Sequence, residues 1–391
     1  MPEHADMHIG SRLREVRKRR GLTQRGLAEA STVSLSLIRL LEQEKVARTR
    51  VETAHKLAAA LRITTSSLLE RDDEPPQADT TEHWRPLQLA VQVAVPAQAQ
   101  GEEATVQGVR ALLPAVRGAY FGSRLGELSE LLAPLLRDAD TLGDSSQARG
   151  LRAHLLQIAG SVLTQVRQFD AAETALQRAL DDAPDRLRGA SVITTWSWLL
   201  VRQGKLRASR ELATRWADDA EPRMSRATPE ELAAWGWLLL QASAANLRDN
   251  RHGEAEDTMR LARAVAVMTG RELPRGSDRL ATWGPVTVGY KAAERHIVLD
   301  QPDKVLVLAG KKGSQRSSTE YHRHRLDVAK AHLMLRQYGE AVDTLSEVRL
   351  AAPEWLSSQR YAQDILADVV AKRRTLTPEM RDLADALAVP L

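Results

Sequence analysis

Apolar residues recur along this chain at spacings of three and four, the signature of amphipathic helices. Ile9, Leu13 and Val16 form a first stripe that stops near Gly21. Thr23 is placed to cap a second helix carrying Leu27 and Ala28. A short turn around Ser31 and Thr32 follows, then Ser34 as the cap of a third helix carrying Ile38 and Leu41. A fourth helix is expected from about Arg50 to Leu61 and a short fifth over Ser66 to Leu69. The stretch DDEPPQADTT at 72–81 is acidic, proline-bearing and poor in apolar residues, and reads as a linker. From about Trp84 the helical period returns and continues to the end. Two short apolar runs, VQVAV at 91–95 and VLVL at 305–308, fit strand or helix equally by pattern. The expectation is an all-α chain with a disordered tail at 1–8, a five-helix head at 9–71, a linker at 72–84 and a helical repeat domain at 85–391.

Charge separates the head from the rest. Net charge is only +4, but residues 10–62 carry thirteen Lys or Arg against five Asp or Glu. Residues 71–391 are nearly balanced, with 42 basic and 43 acidic side chains. A local basic excess draws polyanions, because each neutralised phosphate releases condensed counterions. The chain has no cysteine, which excludes disulfides and thiolate metal sites. No signal-peptide pattern opens it, and no apolar run approaches the roughly 20 residues needed to span a bilayer. A soluble cytoplasmic protein with no membrane partner is expected.

The head carries Leu22-Thr23-Gln24, Leu27-Ala28-Glu29, Val33-Ser34, Ile38, Leu41-Glu42 and Lys45 in order. In residue type and spacing this resembles the lambda-repressor-like Xre/Cro family of helix-turn-helix domains. The resemblance implies that the second helix rests on the DNA backbone and the third enters the major groove. It implies a phosphate contact for Gln24, an ion pair between Arg17 and Glu42, and base reading by Ser34, Leu35, Ser36, Arg39 and Leu40. Arg12, Arg25, Lys45, Arg48 and Arg50 are candidate phosphate contacts, since basic side chains position without specifying. Three departures stand out. Thr32 and Glu44 occupy positions where the family commonly has glycine, and a β-branched Thr32 is poorly suited to positive φ, so a remodelled turn is expected. The third helix, SLSLIRLLEQE, also carries the surplus leucines Leu35, Leu37 and Leu40. Leucine can touch only thymine methyls, which leaves Arg39 as the one bidentate reader of guanine.

The remainder shows five units in which small and large residues alternate across two helices. The first carries Gly160, Leu163, Phe169, Ala172, Leu176, Ala179 and Pro184; the last carries Ala329, His332, Tyr338, Ala341, Leu345, Val348 and Pro353. Between them lie units around Ser197 to Trp216, Ser243 to Ala262 and Ala293 to Val305, with a divergent pair over 106–139 before and a cap after Ser357. This pattern resembles tetratricopeptide repeats. Each helix pair cannot bury its own apolar face and stacks on the next, giving a superhelix with an inner groove. The family's groove offsets fall on His154, Gln157, Ser161, Gln165, Ser191, Thr194, Trp198, Arg202, Trp237, Gln241, Arg248, Tyr290, Lys291, Glu294, Arg323, Asp327 and Lys330. That mixture suits a peptide or a carboxylate-bearing ligand. Trp196 and Trp216 read as core; Trp198 and Trp237 fit a ligand cage or core packing equally.

Other chemistry is thin. The stretch VLVLAGKKGSQRSST at 305–319 lacks phosphate-loop spacing, and His322 and His324 have no further metal-ligand set nearby. No nucleophile-and-base arrangement stands out. No enzyme, cofactor or metal is therefore expected. The two halves together resemble the peptide receptors grouped as the RRNPP family and actinobacterial regulators of the same layout. The resemblance implies a homodimeric transcription regulator in quorum sensing or a similar response, with duplex DNA and a small peptide or metabolite effector as partners. The alternative is an interaction scaffold whose helix-turn-helix no longer reads DNA.

Overall fold

The computed structural model describes residues 9–46, 49–69, 81–92, 104–276, 279–309, 319–373 and 375–390. The expected tail at 1–8, most of the linker and residues 93–95 and 310–318 lie outside these. The head consists of α1 (Ile9–Arg19), α2 (Gln24–Ser31), α3 (Leu35–Glu42), α4 (Val51–Leu61) and α5 (Thr65–Leu69). Thr23 caps α2 by accepting from the Gly26 amide, and Ser34 caps α3 by accepting from that of Leu37. Leu13, Leu27, Ile38, Leu41, Leu57, Leu61 and Leu68 close the core of the head. Gly10 lets α1 cross α3 closely: a Cβ there would sit 1.8 Å from the carbonyl oxygen of Leu41. The turn between α2 and α3 is not remodelled. Thr32 itself takes the left-handed conformation, at φ 57° and ψ 18°, and Glu44 does the same at φ 58°.

Every other element with more than one residue is also helical: α6 (Thr81–Gln92), α7 (Val106–Phe121), α8 (Leu125–Asp140), α9 (Ser146–Gln165), α10 (Phe169–Asp181), α11 (Arg186–Arg202), α12 (Leu206–Asp219), a 3-10 turn (Met224–Arg226), α13 (Pro229–Arg248), α14 (His252–Thr269), α15 (Pro285–Val298), α16 (Pro302–Ala309), α17 (Thr319–Met334), α18 (Tyr338–Ala351), α19 (Pro353–Ser357), α20 (Arg360–Ala371) and α21 (Pro378–Ala386). Among the described residues the one extended pairing is an isolated bridge between Leu273 and Trp283. The two ambiguous apolar runs resolve where they are described: Val91 and Gln92 end α6, and 305–308 lie in α16. α6 begins at Thr81, so helix starts inside the stretch expected to be linker.

Among the described residues six helix pairs form hairpins that reverse in one way. One residue takes positive φ in each: Ser123, Arg167, Gly204, Asn250, Asp300 and Arg336. The next amide then bonds to a carbonyl five residues back, as Gln168 does to Leu163, Lys205 to Leu200 and Arg251 to Asn246. This closure satisfies the last carbonyls of the first helix and aims the second helix back along it. The first helices neighbour one another in sequence order, α9 with α11, α11 with α13, α13 with α15 and α15 with α17. Such helices are covered on several sides, and α9 and α13 are accordingly buried nearly all round. Their partners α10 and α14 bury one face. Small residues mark the closest approaches. At Gly236 a Cβ would lie 2.0 Å from the ring of Trp283, which is fully buried against it. The array curls until its ends meet: Trp355 on α19 donates from Nε1 to Gln165 Oε1 on α9 at 2.9 Å.

Candidate nucleic-acid interface and internal cavity

The head places a polar network behind its third helix. Arg17 on α1 donates from Nε and Nη2 to the two carboxylate oxygens of Glu42 on α3, at 2.5 and 2.7 Å. Its Nη1 donates to the Leu22 carbonyl at 2.8 Å, and Gln24 Nε2 donates to Glu42 Oε2 at 2.8 Å. Burial alone would raise the Glu42 pKa, but the hydrogen bonds from Arg17 and Gln24 and the charge of Arg14 hold it below its ordinary range. One N–H of the Gln24 amide is thus used within the protein, and the second remains available to donate to a phosphate oxygen.

Ser34, Ser36, Arg39, Leu40 and Gln43 are exposed, and Leu35 is half-buried. Ser36, Arg39, Leu40 and Gln43 follow one another at intervals of three, one and three, so they make a single stripe along α3. Gln43, an amide able to pair with adenine, is a stripe member the sequence reasoning missed. Arg39, Arg25 and Lys45 are exposed. Two other expected phosphate contacts are engaged elsewhere: Arg12 donates to the Leu68 carbonyl at 2.7 Å, and Arg50 Nη2 pairs with Asp364 of α20 at 2.6 Å. Arg48 lies outside the described residues.

A cavity of about 90 Å³ opens where the first helices of the hairpins converge. α11 supplies Thr194, Thr195 and Trp198, and α13 supplies Trp237 and Gln241. α15 supplies Thr287, Tyr290, Lys291 and Glu294, while α17 supplies Thr319, Glu320, Arg323, His324 and Asp327. Tyr120, Ser161, Leu280 and Ala281 complete the wall. Ser161, Thr194, Trp198, Trp237, Gln241, Tyr290, Lys291, Arg323 and Asp327, all at expected groove offsets, thus meet around one space. Four others serve elsewhere. Gln157 Nε2 bonds Ser191 and Thr195, Gln165 takes the Trp355 bond, His154 faces Arg188, and Lys330 lies 3.7 Å from Asp368. Tyr120 belongs to the divergent first hairpin and Leu280 and Ala281 to the long loop after α14, so no repeat offset could have pointed to them.

The cavity holds strongly interacting charges. Glu294 accepts from Lys291 Nζ at 2.8 Å and from Arg248 Nη2 at 2.5 Å. Burial opposes its ionisation, but these two cations prevail and hold its pKa well below the carboxylate range. Asp327 is pushed well above that range by burial and by the Glu294 charge, with Tyr361 Oη 3.5 Å away. His324 stacks on Tyr290 with centroids 4.6 Å apart, and burial with the nearby Arg325 pushes it down to about 4, so it is neutral. The Arg323 guanidinium lies 4.3 Å over the Trp198 ring.

Arg248 also connects this cavity to the head. Its carbonyl lies 2.9 Å from His55 Nδ1 on α4, which fixes the ring proton on that nitrogen. The next residue, Asp249, is fully buried and accepts from the Ser66 amide at 2.7 Å and from Arg210 at 3.0 Å. Asn250 Nδ2 reaches the Ile63 carbonyl and Thr65 Oγ1, each at 3.3 Å. α4 and α5 therefore dock on the end of α13, and the α3 stripe remains open.

Among the described residues no helix is long and apolar enough to cross a membrane. No curated protein and no solved structure matches the chain. Residues 13–68 match the family model described as Helix-turn-helix, and the exposed α3 stripe lies within that match: the head is an Xre-like helix-turn-helix domain, the module of DNA-binding regulators.

Proposed function

We propose that this chain is a sequence-specific cytoplasmic transcription regulator without enzymatic activity, whose hairpins are tetratricopeptide-like repeats that sense a small peptide or metabolite and pair two copies. The layout resembles RRNPP-type receptors. The observation that carries the reading is the position of Arg248, whose side chain meets Glu294 in the cavity wall while its carbonyl meets His55 of the head. A ligand that competes for Glu294 or Lys291 acts on the residue that seats the head. It shifts the seating only by its differential affinity for the two arrangements.

The test is retardation of duplexes selected from a random pool, repeated at rising salt. The expected result is binding that weakens steeply with salt and a recovered motif with two half-sites. In Arg39→Ala one position of that motif should relax by about 1–3 kcal/mol. Absence of retardation for every duplex overturns the reading, and an unchanged motif in Arg39→Ala overturns base reading by that side chain. The scaffold alternative draws on Leu40, 38% exposed on the reading stripe. It requires that random duplex fails to bind even at low salt.

A further inference from the structure

Two guanidinium groups lack an acidic partner: Arg323 on the cavity wall and Arg202, which is not a wall residue but lies beside it. Arg202 ends α11 one turn beyond Trp198, so both side chains project from the same side of that helix. Arg323 comes across from α17 and covers the Trp198 ring. Among the described residues neither arginine makes a hydrogen bond or an ion pair. The Tyr290 hydroxyl, on the wall of the same cavity, is also buried without a partner. Arg323 and the Tyr290 hydroxyl thus share the wall, and Arg202 is close enough behind Trp198 for its charge to interact with that of Arg323. Enclosure and the neighbouring charges of Arg323, Arg167 and Arg248 push Arg202 down to about 10.

Nearby acids do not supply the missing charge. Glu294 is shared between Lys291 and Arg248, and Asp327 keeps its proton more readily than an ordinary carboxyl. Glu320 is on the wall, with Oε2 itself buried and unpartnered, so it offers an acceptor without bonding either arginine. With Asp327 protonated, Lys291 and Arg323 balance Glu294 and Glu320 on the wall, and Arg202 and Arg248 beside it leave the region net positive. Keeping unpaired charge in a partly desolvated space is costly unless a counter-charge completes it. Planar guanidinium forks match oxyanions in particular, and an aromatic face fixes one fork in place.

We propose that Arg202 and Arg323, with the Tyr290 hydroxyl, form a binding site for the oxyanion group of a small metabolite that carries two negative charges. Glu320 would accept from a hydroxyl or ammonium group on the same molecule. The proposal deepens the effector reading and rests on it. The cavity favours a compact ligand, since about 90 Å³ is well short of the roughly 300–1,000 Å³ of drug-sized pockets.

Calorimetric titration of the full-length protein tests the site, with glucose 6-phosphate and citrate as separate probes for a phosphate ester and a carboxylate. One saturable site per chain is expected for at least one probe. Arg202→Gln and Arg323→Gln should each weaken it by about tenfold or more. Arg25→Ala, on the DNA face, should leave it unchanged and so separates the cavity from the basic head. Thermal melting gives a second readout. Without ligand, Arg202→Gln should melt above the parent, because it removes unpaired charge; the binding probe at a fixed concentration should raise the melting temperature of the parent more than that of the variant. The proposal is overturned if neither probe binds, if both cavity variants bind like the parent, or if Arg25→Ala abolishes binding. Retardation of duplex DNA by the same preparations is scored separately. Retained retardation with failed titration sinks the oxyanion site alone, and loss of retardation in the parent sinks the regulator reading.

Discussion

Thr32 is exposed, makes no side-chain hydrogen bond among the described residues and stands at φ 57° between the two helices of the motif. A β-branched side chain in the left-handed region costs free energy that glycine avoids, of order 1–3 kcal/mol. Glycine returns part of that through the extra entropy it loses on folding. Thr32→Gly should therefore stabilise the head by about 1 kcal/mol net. Urea unfolding followed through amide signals of α2 and α3 should show a higher midpoint at an unchanged slope. A lower midpoint would mean that the Thr32 side chain supports the turn. The sequence expectation at this site failed for an instructive reason. Residue preference argued for a different turn, but Ser34 capping α3 and Leu27, Ile38 and Leu41 packing below fix the angle between α2 and α3. Tertiary packing then dictates the backbone and Thr32 bears the strain.

Individual elements were legible where the signal is local. Thr23 and Ser34 announce α2 and α3 because a cap is decided within four residues. The residues opening the second helix of each hairpin, such as Phe169, His252 and Tyr338, sit just past its left-handed turn. What local patterns do not encode is where α4 and α5 dock, since the Ser66–Asp249 bond joins residues 183 positions apart. Gln157 and Gln165 show the same limit: groove offsets fix a helix face but not how near the next helix or α19 comes. The docked face carries a titratable group. His55 has its pKa lowered by burial and by the charges of Arg248, His252 and Lys56, against the raising effect of its bond to the Arg248 carbonyl. Above the ordinary histidine pKa of about 6.5 the ring is neutral whether docked or free. As pH falls below that value the free head takes up the proton first, so docking weakens. Hydrogen exchange at the Ser66 amide should accelerate between pH 7.5 and pH 5.5 after correction for intrinsic rates. In His55→Asn this extra acceleration should shrink. An equal profile in both proteins would assign the effect to another group.

At the scale of the whole molecule, α3 faces away from the hairpins while α4 and α5 are seated on α13 and α12. The hairpins therefore hold the head without covering the α3 stripe, so under the proposed function a change in seating would alter the head's direction more than its access to DNA. That distinction separates two ways of regulating. Occlusion would change affinity for any single half-site. Orientation matters only when two heads of the proposed dimer must meet two half-sites at once, where a rigid pair gains through effective concentration. Asp249→Ala is the variant that tells them apart. It deletes the acceptor of the Ser66 amide and the partner of Arg210, and unpairing such buried groups costs about 1–3 kcal/mol. Loosened heads should bind a duplex with one half-site as the parent does. They should bind a duplex with two correctly spaced half-sites less tightly than the parent, by about tenfold, and should tolerate changes in spacing that the parent rejects. A gain on the single half-site would show instead that the repeats shield the head. An equal loss on both duplexes would show that the substitution has damaged the helix-turn-helix itself.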